Sequence, residues 1–265
     1  MTRDLTELAD LAVKAARAAG ELLLERRTGP LEVHTKSSAT DVVSDADRAA
    51  EDTVRSTIAA ARPDDAVLGE ESGAHSGSSG LGWVVDPLDG TVNYLYGRAD
   101  WAVSVAVEDA EQVLAAAVYV PPRGEMYQAT RGGGAYRDGV RLTANDPREI
   151  GQAMLATGFS YDARRRGEQG RLIASVLPTV RDVRRAGSAA VDIVDVAAGL
   201  ADAFYEDDLN HWDVAGANLV AQEAGAVVGV GTGRSGPPTQ AVLVAGRTLY
   251  PQFADVLGFT GERLR

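Results

Sequence analysis

Residues 83–97 read WVVDPLDGTVNYLYG, and no other stretch constrains the chain as much. Trp83, Val84 and Val85 have the apolar, β-branched character of a short buried strand, and Pro87 with Gly90 should break it. Asp86 and Asp89 are then expected at a strand end facing a turn. A charge ending a buried strand needs a partner, because removing it from water without one is strongly unfavourable. The question is why two carboxylates are held three residues apart in such a place.

Bulk properties narrow the answer. At 265 residues the chain can form one large core or two joined subdomains, and 45% hydrophobic with 24% charged residues is ordinary for a globular protein. The 26 basic residues face 38 acidic ones, a formal charge of −12, which argues against general binding to nucleic acid or anionic lipid. An acidic protein that takes an anionic substrate needs local positive charge, and a bound cation supplies it directly. With no cysteine, disulfides and thiolate metal sites are excluded, which fits a reducing compartment. The first 30 residues carry acids and lack a continuous apolar core, so neither a signal peptide nor a membrane span is expected, and a cytoplasmic location is.

Along the chain, Leu5, Leu8, Leu11, Ala12, Ala15, Ala19, Leu22 and Leu23 keep helical spacing up to Gly29-Pro30. A second helix is expected over 45–61, capped by Ser44 or Asp45. From Trp101 the pattern changes to strands, WAVSVAVED, QVLAAAVYVP and EMYQAT, followed by the glycine turn RGGGAYRDG. Asn145-Asp146-Pro147 is the best candidate for a junction, dividing an α+β half (1–147) from an α/β half (148–265). In the second half, strand-like AMLATGF, RDVRR, ADAFYE, AGAVVGV and AVLVAG alternate with helices near 165–177, from Ser188, from Asn210 and at the end. GAHSGSSG, 73–80, reads as a mobile loop.

Several motifs fail on their context. GTGRSG, 231–236, has the dinucleotide-binding glycines, but Pro237-Pro238 comes next where a helix must begin. LDGTV, 88–92, is like the turn of phosphatases that form an aspartyl-phosphate, but Pro87 stands where their nucleophile would be. His34, His75 and His211 lack metal-ligand spacing and read as solvated or hydrogen-bonded side chains. There is no GxSxG elbow. The acids remain: Glu70 and Glu71 in GEES, Asp213 in NHWDVAG, and Asp41, Asp45 and Asp47 in SATDVVSDAD. Taken singly, each has an ordinary role as a cap or a solvated group. Together, oxygen ligands without cysteine or paired histidine suit a hard cation such as Mg²⁺.

Glu70-Glu71-Ser72, WVVDPLDGTVNYLYG and HWDVAGANLVAQEAG, in this order and at this spacing, resemble the three signature blocks of the inositol monophosphatase family, and the similarity covers nearly the whole chain. DPxDGT alone is a moderate signal; the three blocks together are highly specific. The resemblance implies a layered αβαβα sugar-phosphatase sandwich with its site between the two halves. It matches Glu70, Asp86, Asp89, Asp213 and the Leu88 carbonyl to ligands of two or three Mg²⁺ ions, with Asp86 bridging two of them. It matches the Gly90 and Thr91 N–H groups to phosphate contacts, Thr91 to the hydroxyl that orients the attacking water, and Asp47 to the acceptor of that hydroxyl. Glu70, through the metal, helps to deprotonate the water. Gly187, Ser188 and Ala189 match contacts to the alcohol, Arg185 and Glu206 match positions that bind ring hydroxyls, and Asp89 and Asp213 face the substrate as well.

The resemblance thus implies a lithium-sensitive, Mg²⁺-dependent phosphomonoesterase acting on inositol 1-phosphate or a related polyol phosphate, in a family whose members are commonly homodimers. Histidinol phosphate, fructose 1,6-bisphosphate and an adenosine bisphosphate stay open as substrates, although Asn93-Tyr94 after the DGT turn looks like the inositol pattern. A regulatory binding protein that keeps the fold is the reading from another class, and the full set of carboxylates with Thr91 and Asp47 argues against it.

Overall fold

The structure, a computed structural model, describes residues 4–27, 33–35 and 42–264. Among them are the helices α1 (Leu5–Arg26), α2 (Asp45–Ala61), α3 (Thr91–Leu95), α4 (Ala163–Val176), α5 (Ala189–Ala197), α6 (His211–Glu223) and α7 (Tyr250–Leu257). Asp4 caps α1 by accepting from the Thr6 N–H at 2.9 Å, and the helix buries Leu8, Leu11, Ala12, Ala15, Ala19 and Leu23 along one face, as its spacing requires. Gly29-Pro30, expected to end it, lies outside the described residues.

Two large sheets carry the chain, beside a two-stranded antiparallel ribbon of residues 33–35 and 42–44. The first orders its strands as 140–141, 134–137, 125–130, 113–120, 102–108, 82–89, 66–69 and 73–75. The second orders 182–184, 154–157, 203–209, 240–245, 227–232 and 262–263. Helices α1 and α2 bury their apolar faces on one side of the first sheet, around Trp83, Trp101 and Val105. Its other side packs through α5 and α6 onto the second sheet, in a core that includes Val84, Ala116, Val194, Leu219 and Val244. Helices α4 and α7 close the far side around Leu155, Tyr205, Leu243 and Phe253. Strand periodicity explains this directly, since Val84 and Val85 point to opposite faces and enter different cores. The result is an αβαβα sandwich, and the chain passes from the first sheet to the second between Arg141 and Met154.

Two expectations change. Pro87 does not end the strand: pairing runs on to Asp89, with Asp86 opposite Ser104 and Asp89 opposite Ala102, and a register irregularity lies between them. Proline lacks the ladder N–H and is tolerated at such a bulge; Asp86 keeps its regular place opposite Ser104, and the shift lies between it and Asp89. Residues 73–80 are not a free loop either. Gly73–His75 pairs with Ala66–Gly69 as an edge strand, and the N–H groups of Ser78 and Ser79 donate to the Asp64 carbonyl at 2.8 and 3.1 Å.

Arg123 fastens the first sheet to the middle helical layer. Its guanidinium donates to Asp195 of α5 at 2.7 Å and to Asp100 at 2.9 Å. The Asp100 carbonyl accepts from Asn93 at 2.6 Å, and the same amide donates to the Ala186 carbonyl at 2.9 Å, so both links meet beside Gly90 and Gly187. Removing one partner strands the other charge, whereas removing both leaves none to strand. Arg123→Ala should therefore cost about 2–4 kcal/mol of stability, and the double variant with Asp195→Ala less than the two single losses summed. Urea denaturation of the three variants measures this; simple additivity would contradict it.

Candidate active site

A cleft of roughly 700 Å³ draws its lining from both large sheets and the helices between them, and every residue that the sequence assigns to the site lines it except Asp47, which reaches it through Thr91. The bulged strand supplies Asp86, Leu88 and Asp89. Gly90 then takes φ +97°, a left-handed conformation that favours glycine, and its missing side chain lets the turn close against the Asp100 carbonyl, which an added Cβ would meet at 2.9 Å. Helix α3 starts at Thr91, whose hydroxyl lies 2.9 Å from Oδ1 of Asp47 on α2 and 3.2 Å from the Leu88 carbonyl.

Asp86, Asp89 and Asp213 each have one oxygen tied by the protein and, among the described residues, the other without such a bond. Asp86 Oδ1 accepts from the Leu88 N–H at 3.0 Å. Asp89 Oδ2 accepts from the Ser188 hydroxyl at 2.7 Å and the Ala190 N–H at 2.6 Å, at the start of α5. Asp213 Oδ2 accepts from the Asn210 N–H at 2.7 Å, completing the capping box that begins α6. Burial, then repulsion from Glu70, Asp89 and Asp213, raises the Asp86 carboxyl well above the usual range. Burial and the charges of Glu70 and Asp89 do the same to Asp213. Burial pushes Asp89 up to about 6 despite its bonds to Ser188 and Ala190. Across the cleft, Glu206 is raised well above normal by burial and by Asp192, Asp89 and Asp213, while Arg185 opposes the shift.

A model of the inositol monophosphatase family matches residues 4–258. The chain belongs to that family. It is 42% identical over 236 residues to the inositol-1-monophosphatase SuhB of Mycobacterium tuberculosis, covering 85% of this chain and 79% of the relative. It is 37% identical over 240 residues to the Nus factor SuhB of Escherichia coli, covering 89% and 90%. The crystal structure of the extragenic suppressor protein suhB from Bartonella henselae superposes with a TM-score of 0.88 at 33% identity, over 95% of this chain and 98% of that one.

As a member of this family the chain has a donor set that fits a hard cation: carboxylates and a carbonyl, all oxygen, facing one cleft. Among the described residues no group of three or more acids or imidazoles is drawn together closely enough to hold a metal ion as it stands. Hydrogen bonds from Leu88, Ser188, Ala190 and Asn210 fix one oxygen of each of the three aspartates.

Other residues have partners of their own. Ser188 spends its hydroxyl between Asp89 and the Val191 N–H, 3.2 Å away, so it supports an acid and caps α5. His211 pairs with Glu108 and His75 with Arg55, each at 2.8 Å; Asp45 pairs with Arg26 at 3.0 Å. Asp41 and the His34 side chain lie outside the described residues. In GTGRSG the N–H groups of Arg234 and Ser235 bond Asp207 and Asp208 at 2.9 and 2.7 Å.

Sequence reading missed Glu51. One helical turn after Asp47 on α2 and almost fully buried, it accepts from the Glu71 N–H at 2.7 Å, the Ser72 N–H at 3.1 Å, the Ser72 hydroxyl and Arg55, and so holds the turn that carries Glu70. The signal was its i+4 spacing from Asp47 on the face shared with Ala50, Val54 and Ile58. Burial raises the Glu51 carboxyl, but the bonds from Ser72, Glu71 and Arg55 outweigh burial and leave it below normal.

These opposite shifts set a pH profile. Glu51 binds protons more weakly folded than unfolded, so its contribution is present above the unfolded value and is lost as acid protonates it. Asp86, Asp89, Asp213 and Glu206 bind protons more tightly when folded, so without metal they cost stability as pH rises from the usual carboxylate range through about 6 and beyond. Metal-free protein should melt highest near pH ~5 and lower at both pH ~3.5 and pH ~8. Melting in EDTA across that range tests it, and a melting temperature still rising toward the alkaline end would contradict it.

Proposed function

We propose that this chain is a Mg²⁺-dependent phosphomonoesterase that hydrolyses inositol 1-phosphate or a closely related polyol phosphate, working as a cytoplasmic homodimer. The observation that carries the reading is the placing of Thr91, hydrogen-bonded to Asp47, between the four acids and the Gly90 turn. Glu70, Asp86, Asp89, Asp213 and the Leu88 carbonyl would hold two or three Mg²⁺ ions. Bound there, the ions supply charge neutralisation for the phosphoryl group and lower the pKa of water, as in two-metal sites generally. No described helix is long and apolar enough to cross a membrane.

The chain's own groups divide the remaining work. Thr91 donates its hydroxyl hydrogen bond to Asp47, which leaves its lone pairs to accept from a water and aim it. That geometry suits in-line attack with general-base assistance passing through the threonine. The N–H groups of Gly90 and Thr91, at the left-handed turn, face the phosphate oxygens. On the alcohol side, Glu206 offers an acceptor oxygen and Arg185 donors to ring hydroxyls, and Gly187, at φ +101°, makes room for the Arg185 guanidinium. Pro87 stands where a covalent aspartyl mechanism needs its nucleophile, so the phosphoryl group passes to water.

Purified protein should hydrolyse inositol 1-phosphate with Mg²⁺ and lose that activity in excess EDTA; full activity in EDTA would sink the reading. Thr91→Ala and Asp47→Asn should each lower kcat by roughly 10²–10⁴, and the double variant should be little worse than the poorer single one, since the pair acts as a unit. Capture of a phosphorylated enzyme on acid quench would contradict direct transfer to water. Glu206→Ala should cut the preference for inositol 1-phosphate over a phosphate ester without ring hydroxyls by about 1–3 kcal/mol. Equal losses on both substrates would remove Glu206 from the alcohol site.

A further inference from the structure

We infer that Gly158 is a specificity-positioning residue: the absence of its side chain is what lets the Glu206 carboxylate lie against the alcohol side of the cleft. The inference rests on the proposed role of Glu206 and deepens it. Both residues line the cleft. Strand 154–157 pairs in parallel with 203–209, Leu155 opposite Ala203, Ala156 opposite Phe204 and Thr157 opposite Tyr205. Continued by one residue, that register sets Gly158 beside Glu206, and register partners in a sheet direct their Cβ atoms to the same face. A Cβ added at Gly158 would fall on the Glu206 carboxylate, overlapping both oxygens and the carbon between them.

Conformation does not account for this glycine. Gly158 is not among the residues with positive φ, so an alanine fits its backbone. The space beside it is the constraint, and neither backbone can retreat from it. Thr157 donates its hydroxyl to the Tyr205 carbonyl at 2.8 Å on one side. On the other, the Ser160 N–H donates to Gln169 at 2.8 Å, and the Gln169 amide donates to the Asp207 carbonyl at 3.1 Å. Arg165, almost fully buried, pairs with Asp208 at 2.9 Å and Asp207 at 3.3 Å, fixing the strand just after Glu206. With both strands pinned, the end of the flexible glutamate side chain must give way to an added methyl. Its surroundings include Asp192, Asp89 and Asp213, so a displaced carboxylate meets like charges or turns away from the alcohol.

The test compares kcat/KM for inositol 1-phosphate with that for p-nitrophenyl phosphate, which lacks ring hydroxyls, in four variants: Gly158→Ala, Glu206→Ala, the two combined, and Gly158→Ala with Glu206→Asp. Gly158→Ala should reduce the ratio on the order of 10-fold, the scale of one lost substrate hydrogen bond, through a higher KM for the inositol ester with turnover of the other ester retained. The combined Gly158→Ala, Glu206→Ala variant should lose no more than Glu206→Ala alone. The shorter aspartate leaves room for the methyl, so Gly158→Ala, Glu206→Asp should regain part of the ratio. Melting temperatures monitor folding, and the aspartate variant carries the test if Gly158→Ala alone is destabilised. A wild-type ratio in Gly158→Ala, where Glu206→Ala has lost it, overturns the inference and leaves the role of Glu206 standing. An unchanged ratio in Glu206→Ala overturns that role and the inference with it. Folding regained without selectivity in the aspartate variant overturns the inference alone.

Discussion

Mutual repulsion among buried carboxylates is the constraint around which the rest of the structure is arranged. Asp86, Asp89 and Asp213 share one cleft with Glu70; burial makes ionisation difficult for all three, and neighbouring carboxylates add to it for Asp86 and Asp213. None of the three is left to find its own position. Each has one oxygen held by an N–H or a hydroxyl, so the unfavourable charge sits at a defined place and the second oxygen stays available. Such an arrangement is costly to fold and useful only where a cation or a developing charge is to be met.

The layers converge to make it. The first sheet contributes Asp86 in regular register and, past the bulge at Pro87, Asp89; α5 contributes the N-terminus that fixes Asp89, and α6 contributes the capping box that fixes Asp213. Outer helix α2 adds Asp47 toward Thr91 and Glu51 beneath the Glu70 turn, two acids one helical turn apart with different tasks. Arg123 and Asn93 then join the sheet to the middle layer close to the Gly90 turn. The second sheet brings Glu206 across from the acids, beside a glycine that leaves it space.

Much of this was legible in the sequence where a residue's role depends on its own neighbours. Alternating and helical periodicity placed the strand around Val84 and helices α1 and α2, Asn210 and Ser188 read as helix starts, and three separated motifs named the acids of the cleft. What was not legible depends on residues distant in sequence. Pro87 looked like a strand end because bulge pairing needs the partner segment around Ala102 and Ser104 to be seen. GAHSGSSG looked loose because its bonds go to Asp64 and to the 66–69 strand. That Ser188 also supports Asp89 was hidden because the two stand 99 positions apart. Gly158 carries no sequence signal, since only the register with 203–209 shows what stands next to it.

Under the proposed metal role, cations neutralise the carboxylate cluster and relieve its repulsion. Thermal unfolding of the wild type and of Asp86→Asn, each with EDTA and with saturating Mg²⁺, tests it most directly. Asp86→Asn removes the charge that Glu70, Asp89 and Asp213 all oppose while keeping the side chain's size. The wild type should melt higher with Mg²⁺ than without, because a ligand bound only by the folded state stabilises it. Metal-free Asp86→Asn should melt at or above the metal-free wild type and respond little to Mg²⁺. A wild type indifferent to Mg²⁺, or an Asp86→Asn protein well below the wild type in EDTA, would contradict the account.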